Sequence, residues 1–275
     1  MAERFVAGDT LDSAVTVAHT LNELGFTVSL DLLGEEVIDV DSAGAALAEY
    51  LSCLDRIESE GLDANISIKP TQLGLAIEES LAREAVIRLG RRAAEVGTTV
   101  TIDMEDSRYT EATVRLFELG QAETANFGVA LQSYLKRTPE DLERLIPLGG
   151  HIRLCKGAYL EPAEVAIQSK SIVDAAFEQQ MKRLMAADET IPAIATHDSR
   201  LLDVARDLAT DRAAPYEFQM LYGVRADVQR ELVAGGFPLR IYLPFGSQWY
   251  PYLTRRLAER PSNAWFLARA VLSGS

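Results

Sequence analysis

Short apolar runs rich in β-branched residues alternate along the chain with longer stretches of helical spacing. The first predicted strand is 28–33, and in 43–57 the apolar residues recur three and four positions apart, as on one face of a helix. The same alternation predicts further strands at 65–70, 99–104, 127–132, 151–156, 191–196, 216–221 and 239–244. Predicted helices follow at 78–96, at 109–122, from 138, through 185, from 199, at 226–232 and at 250–259. The helix from 138 is predicted to begin with Thr138 as its capping residue and Pro139 at its first position.

Eight strand–helix units succeed one another with no long linker between them. Strands that alternate with helices pair in parallel, and eight units in 275 residues predict an α/β fold, a (β/α)8 TIM-type barrel. A doubly wound open sheet is the alternative, but it would carry a glycine-rich phosphate loop after an early strand, and the sequence has none there. We therefore predict one domain over 1–275, with a short N-terminal helix at 9–25, the barrel at 28–260 and a helical tail at 261–275.

Composition narrows the class of protein. Hydrophobic residues make up 48% of the chain, which is more than a disordered chain contains. Lys and Arg number 27 against 41 Asp and Glu, and the net charge of −14 argues against nucleic acid and against electrostatic adhesion to an anionic membrane. Two cysteines are too few for a disulfide framework, and neither a signal peptide nor a membrane-spanning run is visible. We expect a cytoplasmic protein.

Polar residues stand at or near the carboxyl ends of the predicted strands. In a barrel these ends form one rim, and that rim is where active sites lie. The residues are Asp31, Lys69, Asp103, Gln132, Lys156, Thr196, His197 and Tyr242. Each one alone is equally compatible with a surface residue that closes a strand, so the argument rests on their convergence.

Two kinds of chemistry can be weighed at this rim. A metal site requires several histidines or clustered carboxylates, and with three histidines in the chain, His151 at the opposite rim, we expect no metal. A Schiff-base lyase or aldolase is the stronger rival, because Lys69 and Lys156 end strands and a lysine with a lowered pKa attacks carbonyls. Arg153, three residues before Lys156, is a cation that would favour such lowering.

The predicted helix at 250–259 carries a pair of arginines. Tyr252 shares a helical face with Arg255 and Arg256, and Glu259 follows them at spacings of four and three. An exposed helix with ion pairs would show the same pattern. Two adjacent guanidinium groups are also the arrangement that recognises a small carboxylate.

Seven sequence blocks, in order, resemble the proline dehydrogenase family of flavin-dependent barrel enzymes, both its monofunctional bacterial type and the corresponding domain of the bifunctional proline utilisation protein. The blocks are 67–74, 102–106, 131–134, 152–159, 195–198, 217–223 and 252–259. The resemblance implies a distorted barrel with its last helix over the active site. It also implies FAD, and the oxidation of L-proline to Δ1-pyrroline-5-carboxylate by hydride transfer from C5 to flavin N5. The electrons would pass to a quinone, with at most peripheral contact at the inner face of the membrane, and the oligomeric state stays open.

The resemblance also implies a role for individual residues. Arg255 and Arg256 would bind the proline carboxylate, with Lys69 as a third cation, and Asp103 would hold Lys69 and Arg256 in place. Tyr242 would support the arginines, and the ring of proline would lie against Tyr252, Tyr159, Ala158 and Leu221. Arg153 would lie beside flavin N5. The residues that would hold FAD are Met104, Gln132, Arg153, Lys156, Gly157, Ala158, Thr196 and His197, with Gly157 giving the backbone room to approach the flavin ring. A flavin- or partner-binding barrel without turnover is a further alternative.

Overall fold

Parallel strands form a closed barrel in the computed structural model, which describes residues 4–34 and 36–249. Within this part of the chain the strands are β1 (Thr27–Leu32), β2 (Ala64–Ile68), β3 (Val100–Ile102), β4 (Phe127–Gln132), β5 (His151–Cys155), β6 (Ile191–Ala195), β7 (Glu217–Leu221) and β8 (Leu239–Phe245). Each strand pairs with the next in chain order, and β8 pairs with β1. The predicted (β/α)8 TIM-type fold is confirmed, and the open sheet is excluded.

Helices surround the barrel. In the described ranges they are α1 (Leu11–Glu23), α2 (Val40–Glu60), α3 (Glu79–Val96), α4 (Thr110–Thr124), α5 (Thr138–Leu145), α6 (Lys170–Met185), α7 (Ser199–Thr210) and α8 (Ala226–Ala234), with short 3-10 turns at Pro70–Leu73, Ser107–Tyr109 and Ile146–Leu148. The predicted helix at 250–259 and the tail at 261–275 lie outside the described residues, so the position of the last helix stays a prediction.

The start of α5 differs from the prediction. Arg137 is the capping residue, and Thr138 is the first residue of the helix. The Thr138 hydroxyl donates instead to the carbonyl oxygen of Gln132, 2.6 Å away at the end of β4. The prediction of Thr138 as the cap was wrong because its hydroxyl bonds the carbonyl oxygen of a buried strand, a contact that the helical spacing of the sequence does not show.

The core lies between the barrel and its helices. The outward side chains of the strands, such as Val28, Leu30 and Ile66, are fully buried against apolar helix residues such as Leu54 and Leu89. Burying one such side chain contributes about 1.5–3 kcal/mol, so this layer is the main source of stability.

The N-terminal helix occupies a position that a regular barrel gives to its last helix. Helix α1 packs against β1 and β8, and Arg56 of α2 makes an ion pair with Asp12 of α1. Before α1, the amide of Ala7 donates to the carbonyl of Pro244 at the end of β8, at 2.8 Å. The outer groove beside β8 and β1 is therefore already filled. No helix among the described residues is long and apolar enough to cross a membrane.

Candidate active site

The interior of the barrel is polar and charged. Side chains alternate between the two faces of a strand, and here the apolar ones face the helices while the polar ones face the barrel axis. The buried polar strand and strand-end residues include Ser29, Asp31, Asn65, Ser67, Lys69, Thr101, Asp103, Arg153, Glu217 and Gln219, and Arg240 and Tyr242 are partly buried beside them. Barrel interiors are usually filled by Val, Ile and Leu. Because burying charge is costly, this interior indicates a function.

Lys69 is the centre of the upper cluster. It follows β2 directly, is 6% exposed, and makes an ion pair with Asp31 of β1. Its Nζ also lies 3.4 Å from Asp103 Oδ2 and 3.4 Å from Tyr242 Oη. The Tyr242 hydroxyl in turn donates to Asp103 Oδ2 at 2.6 Å. Each of the three N–H groups of the ammonium therefore has an acceptor.

The charges of this cluster determine its protonation. Burial acts to lower the pKa of Lys69, but the carboxylates of Asp31 and Asp103 outweigh it and raise that pKa well above its ordinary value. Burial acts to raise the pKa of Asp103, but Lys69 and Arg153 hold it below its ordinary value. For Asp31 burial prevails, and its pKa is raised. A Schiff-base lysine requires a lowered pKa, so the electrostatics of Lys69 argue against the lyase alternative.

Arg153, on β5, is fixed on two of its three nitrogens. Nη1 donates to Asp103 Oδ1 and, at 3.1 Å, to Ser67 Oγ, while Nε donates to Gln219 Oε1. The guanidinium carbon lies 5.1 Å from the centroid of the Tyr242 ring. Nη2 is buried and has no hydrogen-bond partner within the described part of the chain.

The strands beside Arg153 carry small residues. Ala130 of β4 and Ala193 of β6 pair in register with Arg153, so they point to the same face as its side chain. A buried donor without a partner between two alanines is an arrangement that accommodates a planar group with hydrogen-bond acceptors.

Lys156, just after β5, does not share the partners of Arg153. Its Nζ makes ion pairs with Asp174 of α6 and, at 2.9 Å, with Asp198 before α7. Because Arg153 is instead bound to Asp103, the two cations lie in separate ion-pair networks. The two cations of β5 on which the aldolase hypothesis relies therefore do not act on a common partner.

Gly157 is required by its neighbour Tyr134. Its φ of +132° is a conformation that L side chains rarely adopt, and a Cβ at this position would lie 2.3 Å from Tyr134 Cδ1. The Tyr134 hydroxyl donates to the carbonyl of Tyr159 at 3.1 Å, so the ring fixes the turn after β5. This packing gives a reason for glycine besides the expected room for a flavin ring.

The remaining predicted residues make hydrogen bonds between neighbouring loops or within one loop. The amide of Ala158 donates to Gln132 Oε1 at 3.0 Å, and the amide of Leu221 donates to His197 Nε2 at 3.0 Å. The Thr196 hydroxyl accepts from the amide of Asp198 at 3.2 Å. These contacts bring the loops after β4 to β7 together at one end of the barrel.

For two other predicted residues, burial is the main observation. Met104 is buried and packs in the core, and Tyr159 is partly buried at the mouth. Tyr252, Arg255 and Arg256 lie outside the described residues. Among the residues that are described, no group of three or more His, Cys, Asp or Glu is placed to hold a metal ion.

Sequence reasoning gave no role to several residues of the interior. In the sequence analysis, Asp31 is placed only at the rim. No role is given there to Ser67, Glu217, Gln219 and Arg240, although the first three lie in the matching blocks 67–74 and 217–223. The alternation of polar and apolar residues in β1, β2, β7 and β8 is a sequence signal for this interior. In a parallel sheet buried on both faces, that alternation places the polar set inside the barrel.

Comparison with known proteins identifies the family. The family model for proline dehydrogenase matches residues 14–269. Proline dehydrogenase 1 of Bacillus subtilis (strain 168) is 36% identical over 275 residues, covering 98% of this chain and 90% of that protein. The proline dehydrogenase of Deinococcus radiodurans is 36% identical over 286 residues, covering 100% of this chain and 91% of that protein.

A longer protein of known structure shares the fold. The crystal structure of proline utilization A from Bdellovibrio bacteriovorus, inactivated by N-propargylglycine, superposes with a TM-score of 0.86 at 25% identity. The match covers 93% of this chain and 32% of that one, so this chain corresponds to about a third of the larger protein. From the matches over nearly its whole length and from its barrel, the chain belongs to the proline dehydrogenase family of enzymes.

Proposed function

We propose that this enzyme oxidises L-proline to Δ1-pyrroline-5-carboxylate, using FAD and passing the electrons to a quinone. The observation that carries the proposal is the buried cluster of Lys69, Asp103, Arg153 and Tyr242 at the barrel mouth of a proline dehydrogenase family member. We place the reaction in the cytoplasm, with at most peripheral contact at the inner face of the membrane.

The residues at the mouth fit a flavin. Arg153 Nη2 is a buried donor without a protein partner in the described ranges, and its neighbours in register, Ala130 and Ala193, are small residues. FAD would be held by Met104, Gln132, Arg153, Lys156, Gly157, Ala158, Thr196 and His197. When bound, the flavin supplies the two-electron oxidant that accepts hydride from C5 of proline at N5.

The substrate carboxylate is bound by cations. Lys69 keeps its charge, and its contacts with Asp103 and Tyr242 are long at 3.4 Å, so a carboxylate competes for those N–H groups. Arg255 and Arg256 complete the carboxylate site from the segment that follows β8. Asp103 holds Lys69 directly and pairs with Arg256.

The rest of the pocket orients the ring and its nitrogen. Tyr159, Ala158, Leu221 and Tyr252 line the ring, and Tyr242 supports the arginines. Hydride leaves C5 only when the nitrogen lone pair is available to form the iminium, so the amine must be neutral. Positive charge around the carboxylate disfavours an ammonium group nearby and therefore favours the reactive form.

Anaerobic titration with L-proline tests the proposal. We expect the purified holoenzyme to be yellow and to lose its flavin absorbance in proportion to added L-proline. A parallel titration with hydroxyproline measures the selectivity for the substrate ring. Arg255→Met or Arg256→Met should raise KM for proline strongly while FAD stays bound. Protein that binds FAD but keeps its colour with proline would refute the proposal. Borohydride trapping of a carbonyl compound on Lys69 or Lys156 would support the lyase instead.

A further inference from the structure

We infer that Gln219, Glu217 and Arg240 form a relay inside the barrel that positions Arg153, and that Gln219 thereby sets the electrostatic environment of the flavin. The inference rests on the proposed function, in which Arg153 lies beside the flavin. Gln219 touches neither substrate nor cofactor in this scheme, so it is a positioning residue that acts through Arg153.

Gln219 has a single possible orientation. It lies on β7, is 5% exposed, and its Oε1 accepts the hydrogen bond of Arg153 Nε. Its Nε2 donates to Glu217 Oε1 on the same strand. A carboxylate only accepts and an arginine only donates, so the two neighbours fix which end of the amide faces each of them.

Glu217 is itself held from the next strand. Arg240 Nε lies 3.0 Å and 3.1 Å from the two carboxylate oxygens of Glu217, and Arg240 Nη1 donates to the carbonyl of Val28 at 2.9 Å. Burial acts to raise the pKa of Glu217, but Arg240 outweighs it and holds that pKa below its ordinary value. The relay therefore runs from β1 through β8 and β7 to Arg153 on β5, with an ionised carboxylate in its middle.

The relay determines which face of Arg153 stays available. Nη1 is occupied by Asp103 and Ser67, and Nε is occupied by Gln219. With both of these sides held, Nη2 is the nitrogen of Arg153 that lacks a hydrogen-bond partner among residues 4–34 and 36–249. Without the Gln219 acceptor, a buried N–H would be unpaired and the guanidinium would turn to satisfy it.

A set of three variants tests the relay in the FAD-loaded protein. Gln219→Glu adds a carboxylate beside Arg153, and Gln219→Met removes both hydrogen bonds without charge. Glu217→Gln combined with Gln219→Glu keeps the total charge of the interior and leaves a hydrogen bond possible at each link of the relay, although Arg240 Nε keeps only one of its two acceptors on residue 217. The double variant moves the anion one layer towards Arg153. The flavin midpoint potential is measured by reduction with dithionite against a reference dye, together with Tm and the Kd for FAD.

Negative charge near the flavin disfavours its electron-rich reduced form. We expect Gln219→Glu and the double variant to lower the equilibrium constant for two-electron reduction at least about tenfold, or about 30 mV. The double variant should have a higher Tm than Glu217→Gln alone, because a carboxylate stays in the barrel interior. Gln219→Met should lower kcat with little change in KM for proline. Gln180→Met, at a buried glutamine on α6 outside the barrel, is the control and should leave the potential unchanged.

The outcomes separate the relay from the proposed reaction. If the variants change Tm but their equilibrium constants for two-electron reduction stay within twofold of the parent value, the relay is overturned and Gln219 has a purely structural role. Because dithionite reduces the flavin without proline, the relay can be tested even if proline does not reduce the flavin. Failure of proline to reduce the flavin would overturn only the proposed reaction. A parent protein that binds no flavin would overturn both.

Discussion

At the scale of single residues, Asp103 is the carboxylate that links the two cations at the barrel mouth. It accepts from Ser67 at 2.8 Å and from Tyr242 at 2.6 Å, and it pairs with Lys69 and Arg153. This buried carboxylate accepts from four donors. Its negative charge stabilises the barrel and also holds the two cations of the site in place.

Asp103→Asn should lower both the stability of the protein and its activity. Removing one partner of a buried ion pair costs about 3–5 kcal/mol, because the two cations keep their charge. Misplacing Lys69 and Arg153 should also lower kcat/KM for proline roughly 100-fold, as small displacements of orienting groups do. Dye-linked assays and thermal unfolding measure the two effects. Asp106→Asn, in the same loop but paired with the exposed Arg108, is the matched control and should stay near the parent.

Gly157→Ala tests the packing of the turn after β5. The new Cβ would meet the Tyr134 ring in a backbone conformation that disfavours L residues, so we expect a loss of about 2–5 kcal/mol in unfolding free energy. Gly97→Ala is the control, because Gly97 also has a positive φ, +79°, but nothing lies within 4 Å of its Cβ position. That control should lose only about 1–2 kcal/mol, measured by urea unfolding. Equal losses in the two variants would show that Tyr134 does not constrain the turn.

The sequence predicted some of these residues and not others for a physical reason. Lys69, Asp103 and Arg153 were found because their chemistry and their strand positions matched a known family. Gln219, Glu217 and Arg240 lie deeper in the barrel, where a sequence shows polarity but not which residue faces which. The pairing of Glu217 with Arg240 depends on the register of β7 and β8, which is set by the closed barrel and not by local sequence.

At the scale of elements, the alternation of strands and helices was sufficient to predict the barrel, because periodicity is a local property. The placement of α1 was not predictable in this way. A helix with one apolar face fits any outer groove, and contacts of Ala7 with Pro244 and of Asp12 with Arg56 select the one beside β8 and β1.

Helix α7 permits a test of the flavin site at its first turn. Asp198 caps this helix through a bond from the amide of Arg200 and also pairs with Lys156. Asp198→Asn keeps a good capping residue but removes a carboxylate that, on the proposed function, would compete with FAD for Lys156. We expect the Kd for FAD to fall about two- to fivefold, as removal of a partly exposed ion pair allows.

Fluorescence titration of the flavin-free protein with FAD measures this change. Asp203→Asn, on the same helix and 3.6 Å from Arg206, is the control and should leave the Kd unchanged. An equal or higher Kd for Asp198→Asn would contradict the assignment of Lys156 to the cofactor.

At the scale of the whole molecule, the charge of the interior differs from that of the chain. The net charge is −14, yet among the described barrel residues Asp31, Asp103 and Glu217 are matched by three cations, Lys69, Arg153 and Arg240. The excess of acid therefore lies outside the barrel interior. Balanced charges inside a buried barrel make its stability depend on the pH at which the interior anions lose their charge.

Glu217→Gln should reveal this dependence on the acid side. Because Arg240 and its hydrogen bonds hold the folded-state pKa of Glu217 below its ordinary 4.5, this carboxylate contributes stability above about pH 4.5 and loses it as pH falls through the lower folded-state pKa. At pH 7 the variant should be about 3–5 kcal/mol less stable, since Arg240 is left without its anion. As the pH is lowered below 4.5 the gap should narrow, because the parent protein then loses the same charge. Urea unfolding at pH 7 and at several acid pH values measures the gap, with Glu118→Gln on α4 as a surface control. A gap that stays constant down to the acid unfolding limit would mean that the Glu217 charge does not stabilise the barrel.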